Sequence, residues 1–161
     1  MPVWLIFCAS SGVPEMIETI LLWLPVIICG IAVVHDLRSR EIPNWLPLVI
    51  LLLVPAHLVM TSSGSSWWQH VCGGLVALVT GMIVGHKDRF GGGDIKLFAA
   101  LGAWFGILSV VPLALWIAIA GLPLAIAAAM RKQSDFAYAP AIFVGVCVHV
   151  AAPDLLSRIA S

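Results

Sequence analysis

From Leu97 through Met130 the chain carries no charged side chain. As one helix that stretch would run about 50 Å at 1.5 Å per residue, too long for a single passage through a hydrocarbon core of about 30 Å. A tight hairpin near Gly106 to Pro112 divides it into two spans. Other apolar runs, at about 16–35, 45–60, 71–85 and 138–152, each approach the length of a crossing. With 161 residues, 61% of them hydrophobic and only 10% charged, the chain has too little polar surface to cover a soluble domain. The sequence therefore predicts an all-α fold, a polytopic membrane bundle of about six transmembrane helices embedded in the lipid bilayer. Residues 1–15 are expected to form a short extracytoplasmic or interfacial tail, and residues 16–161 a single six-helix domain.

Basic residues orient the bundle. Arg38 and Arg40 follow the first span, Lys87, Arg89 and Lys96 surround the gap between the third and fourth, and Arg131 and Lys132 follow the fifth. Six spans place all three groups on one face, which the positive-inside rule makes cytoplasmic, with both termini extracytoplasmic. A five-span chain would split them. Trp45, Trp67 and Trp68 read as aromatic anchors at the membrane interface.

Several function classes drop out. Net charge is zero and no basic cluster interleaves with aromatic residues, so nothing points to nucleic acid. Cys8, Cys29, Cys72 and Cys147 are scattered without a C-x-x-C pair, which supports neither a zinc ribbon nor a redox couple. His35 and His86 share the cytoplasmic face with Asp36, Asp88 and Asp94, but no fixed ligand spacing links them, so no metal and no cofactor is expected. His57, His70 and His149 fall towards the other face.

Two acidic residues stand out against this background. Asp36 closes the first apolar segment, and Asp94 follows the run Gly91-Gly92-Gly93 where the long uncharged stretch is about to begin. An ionisable group at the hydrocarbon edge is costly, which makes each a functional candidate. Asp36 sits near a helix C-terminus, an unfavourable place for a structural carboxylate. Three glycines resist regular helix and let another backbone come close; a flexible loop with Asp94 as a helix N-cap is the structural alternative. Odd numbers of crossings put both acids on one membrane face, where two neighbouring carboxylates would share a proton.

Together the strings Asp36 … Ile42-Pro43-Asn44 and Gly91-Gly92-Gly93-Asp94-Ile95-Lys96-Leu97, continuing to Ala99-Ala100-Leu101-Gly102, resemble the type IV prepilin peptidase family, membrane aspartic endopeptidases of the GxGD class. A weaker match is Tyr138-Ala139-Pro140-Ala141-Ile142 with Gly145. The resemblance runs from about residue 20 to 150. It implies a membrane peptidase domain in the bacterial cytoplasmic membrane, with Asp36 and Asp94 as the catalytic pair. The implied partner is a prepilin or pseudopilin substrate, cleaved at its leader on the cytoplasmic face. Gly91, Gly92, Gly93 and Lys96 are the candidate substrate-binding residues. Lacking the cysteine-bearing insertion of larger members, the chain looks like the short form associated with Flp (Tad) pili, expected to cleave without N-methylation. Oligomeric state is not legible.

Helix dipoles assign the proton: Asp94 begins a helix and is expected to be the base, Asp36 ends one and is expected to hold the proton. The competing reading is a small transporter using Asp36 and Asp94 as cation sites.

Overall fold

The computed structural model describes residues 15–60, 67–85, 91–130 and 138–151. They form six helices: α1 (Glu15–Ser39), α2 (Trp45–Met60), α3 (Trp67–Gly85), α4 (Gly92–Phe105), α5 (Ile107–Met130) and α6 (Ala139–Ala151). No strand occurs among the described residues. Residues 1–14 and 86–90, the latter with His86 and Asp88, lie outside them.

The uncharged stretch breaks where a turn was expected, at its near edge. Gly106 adopts φ 81, its N–H bonds the Gly102 carbonyl at 2.9 Å, and α5 starts at the next residue. A positive φ is what glycine alone adopts without steric cost. Pro112, the far edge of the expected turn, is inside α5.

Contacts between particular residues show that the helices alternate in direction. Gly73 and Gly81 of α3 face Gly102 and Ile95 of α4, an antiparallel pairing. Gly145 and Gly121 bring α6 against α5 through Ile117 and Tyr138, also antiparallel. Asn44 and His57, at the two ends of α2, meet Lys96 and Trp104 at the corresponding ends of α4, so those two run parallel. The C-terminal end of α1 and the N-terminal ends of α2, α4 and α6 therefore share one end of the bundle.

Three helices contain stretches long and apolar enough to cross a membrane: Thr19–Ser39, Trp67–Gly85 and Ile107–Ala127. The 16 residues of α2 and 13 of α6 are shorter apolar helices. α4, with 14 residues, would be about 21 Å long. It is the most enclosed: Leu97, Phe98, Ala100, Leu101, Gly102, Ala103 and Trp104 are all buried. The outer surface stays apolar, with Leu52, Ile83 and Leu108 among many large exposed side chains. Such a surface suits lipid rather than water, and the chain is an integral membrane protein.

Small residues permit the tightest packing. A Cβ on Gly73 would overlap the Gly102 carbonyl oxygen, and one on Gly102 would lie 2.5 Å from the Ala77 Cβ. Between membrane helices, where lipid is as apolar as leucine, such close backbone approach supplies the dispersion contacts that hold neighbours together.

Candidate active site

Asp36 lies in the last turn of α1. That helix ends in a left-handed cap: Arg40 stands at φ 54 and its N–H bonds the Asp36 carbonyl at 2.9 Å. The chain then runs without regular secondary structure through Glu41 and Ile42 to Pro43, which leads into α2. Asp94 belongs to the first turn of α4, whose N-cap is Gly91. Asp94 is thus not the N-cap but three residues in. Its N–H bonds the Gly91 carbonyl at 3.0 Å, and the Gly91 N–H reaches back to its carboxyl.

Both aspartates are 6% exposed. They wall one open cleft of about 550 Å³ together with Arg40, Glu41, Ile42, Gly91, Gly92 and Gly93. Of the residues singled out from the sequence, Asp36, Asp94 and all three glycines meet there. Lys96 is not in the lining; its ammonium donates to Asn44 Oδ1 at 2.8 Å, tying α4 to the start of α2.

The three glycines have different surroundings. A Cβ on Gly93 would come within 2.7 Å of the Ile42 Cβ, so this glycine lets the two sequence motifs touch. At Gly92 a Cβ would meet nothing within 4 Å among the described residues, leaving that side open to the cleft. At Gly91 it would meet the Asp94 carboxyl at 3.3 Å.

The two carboxyl groups are held unequally. Asp36 Oδ2 accepts a hydrogen bond from the Ala139 N–H, 3.1 Å away at the start of α6. A helix N-terminus presents unpaired N–H groups and partial positive charge, a setting that favours an anion by ~0.3–2 kcal/mol. Asp94 Oδ1 is buried with no hydrogen-bond partner among the described residues. Asp94 precedes the uncharged stretch opening at Leu97 and lies at the mouth of the bundle, outside the apolar spans. Burial first, and the Asp36 charge second, push its carboxyl up to about 7, against the opposing Gly91 hydrogen bond. Leaving a buried charged oxygen unsatisfied costs more than the ~1 kcal/mol an exposed helix terminus returns.

The dipole assignment drawn from the sequence counts only the helix to which each carboxylate belongs. α6, from more than a hundred residues away, reverses the setting of Asp36. The single local signal for it is the Tyr138-Ala139-Pro140 string. Tyr138 is close enough to Asp94 to feel its charge, and its phenol packs over Gly121 of α5. Arg40, Glu41 and Ile42 also line the cleft without having been singled out individually; they occupy the connection between two motifs.

Among the described residues no group of three or more histidine, cysteine, aspartate or glutamate side chains could hold a metal ion. What the cleft offers is a pair of carboxyl groups, each accepting from a backbone N–H, with one Asp94 oxygen left unpartnered among the described residues, beside a stretch of backbone without side chains. Such a pair suits general acid–base chemistry.

The fold and the cleft define an all-helical integral membrane protein with two buried carboxyl groups at one end of its bundle. The sequence model of the type IV leader peptidase family matches residues 4–126, and the chain belongs to that family. A curated relative, the prepilin leader peptidase/N-methyltransferase of Neisseria gonorrhoeae, is 35% identical over 121 residues. The match covers 71% of this chain but 40% of the relative, so the chain spans well under half of that protein's length. No solved structure matches.

Proposed function

We propose that the protein is an aspartic endopeptidase of the bacterial cytoplasmic membrane that removes the leader peptide of type IV prepilins or pseudopilins. The observation carrying this reading is the meeting of Asp36 and Asp94, from α1 and α4, in one cleft walled by Gly91, Gly92 and Gly93. Family membership supports the substrate class. The clustering of both acids at one end of the bundle, rather than at its middle, favours hydrolysis over cation transport.

In this mechanism the ionised carboxylate draws a proton from water as it attacks the scissile carbonyl carbon. The protonated carboxyl donates a hydrogen bond to the carbonyl oxygen, stabilising the tetrahedral intermediate, and a proton then passes to the departing amine. A helix shields its own peptide bonds, so the substrate must be extended at the cut. The open side of Gly92 leaves room for such a strand. The cut lies on the cytoplasmic side, with both termini of the protein on the other. The substrate is of the Flp type, and cleavage proceeds without N-methylation.

The test is co-expression with a short protein carrying a basic leader, a glycine and a long hydrophobic helix. Wild-type protein should shift the substrate to a shorter band. Asp36→Asn and Asp94→Asn should each remain membrane-inserted and leave it uncut. Cleavage that survives either substitution removes the two-carboxylate mechanism.

A further inference from the structure

We propose that the first turn of α6 sets the protonation order of the carboxyl pair, with the Ala139 N–H holding Asp36 as the anion and the shared proton residing on Asp94. The catalytic meaning rests on the peptidase reading; the protonation order itself is a property of the cleft.

Three observations carry it. First, the Ala139 N–H is the terminal donor of a helix aimed at Asp36 Oδ2, at 3.1 Å. Such a donor bonds an ionised oxygen more strongly than a neutral one. Second, Asp94 is nine-tenths buried, and its Oδ1 has no partner among the described residues. An anion there would be buried with one oxygen uncompensated, whereas a protonated oxygen carries no charge. Third, the pair shares one cleft, so ionising one member raises the cost of ionising the other.

The other charged and titratable groups do not reverse this order. Arg40 and Glu41, between α1 and α2, both line the cleft and oppose each other in sign. On α4, Lys96 is engaged by Asn44. Just before α6, Tyr138 packs its phenol over Gly121 of α5. On α1, His35 packs edge-on against Trp45.

In the resting enzyme Asp36 is then the general base and Asp94 the acid. The proton on Asp94 polarises the scissile carbonyl, and Asp36 accepts one proton from water. The bond from oxygen to the carbonyl carbon forms, the carbon–nitrogen bond breaks, and the amine leaves with the proton Asp36 gained. Water and peptide are the only reactants.

The deciding experiment is ¹³C-carboxyl NMR of aspartate-labelled full-length protein in lipid nanodiscs, with signals assigned through Asp36→Asn and Asp94→Asn. The carboxyl still protonated as pH approaches about 7 should be that of Asp94. A proton found on Asp36 instead, or simultaneous ionisation of both in the ordinary aspartate range, overturns the proposal. A second arm removes the donor alone. Proline is tolerated at the first position of a helix, so Ala139→Pro deletes the N–H where a helix can accept it. The low-pH limb of cleavage should move upward by about one pH unit, a tenfold change in proton affinity. Ala139→Gly, which keeps the donor, should move it less; equal displacement in both variants counts against the proposal. If Ala139→Pro does not assemble, the wild-type NMR result decides alone. Cleavage that survives loss of either aspartate defeats the peptidase mechanism but not the protonation order. A dyad essential for cleavage with its proton on Asp36 defeats only the order.

Discussion

Polar side chains are buried at both ends of this bundle, and the two ends treat them differently. At one end His70 donates its Nδ1 proton to the Ala103 carbonyl at 3.0 Å, and His57 stacks on Trp104 with ring centroids 4.5 Å apart. His149 meets the edge of Phe105 at 5.0 Å. These rings are absorbed into packing between α2, α3, α4 and α6. At the other end Asp36 and Asp94 face a cleft, and Asp94 keeps an oxygen without a described partner. The contrast teaches that burial alone does not mark a reactive group. A pair of buried carboxyl groups facing open space does, because the cost of placing them there is offset only by what they do.

Four experiments would break or sharpen this contrast. The largest effect belongs to the carboxyl groups. Asp36→Asn or Asp94→Asn should reduce prepilin cleavage by about 10²–10⁴-fold, the range that loss of a general acid or base produces, as read in a purified cleavage assay. Next comes Gly93→Ala. Its Cβ would enter the space of Ile42, and overpacking of ~1–3 kcal/mol should displace Asp94 and cut turnover by about 5- to 150-fold. Gly92→Ala should leave the thermal midpoint unchanged within ~0.5 kcal/mol, because its Cβ meets none of the described residues. Equal destabilisation by the two would show that the glycines are not distinct.

The pH profile follows. Asp94 must be protonated to act as the acid, and its carboxyl is pushed up to about 7. The active form is therefore populated below about 7, and activity should fall about tenfold per pH unit well above it. An activity still rising past that point would place the proton elsewhere. The smallest effect belongs to the opposite end. His70→Ala should lower stability by about 1 kcal/mol through the lost bond to Ala103, seen as a shifted unfolding midpoint, and leave the pH profile unchanged. A changed profile would mean that the histidine end takes part in the chemistry.

Much of the architecture was legible because apolar runs in a membrane protein are set by one length. All six described helices fall on the runs read from the sequence, and the turn fell at Gly106 because only glycine takes that φ cheaply. Asp36 and Asp94 stood out for the cost of their position. What the sequence hid was long-range. The Ala139 N–H leaves no trace in the residues around Asp36, so reasoning from each acid's own helix omits a donor that the last helix supplies. Gly92 and Gly93 look equivalent in the string and differ only because Ile42 lies against one of them. Lys96, a candidate to greet substrate, is tethered to Asn44 by a bond that spacing does not reveal.

The seat of α6 on α5 carries one more consequence. A Cβ on Gly145 would fall 2.8 Å from the Ile117 backbone nitrogen, and one on Gly121 would fall 2.8 Å from the Tyr138 phenol oxygen. The last helix is therefore keyed at two notches, and its leading amide is aligned by fittings, one of which lies six residues into the helix. A single methyl group added at that inner notch would slide the donor off its mark, shifting the pH range of cleavage from a distance while every reacting atom stayed in place.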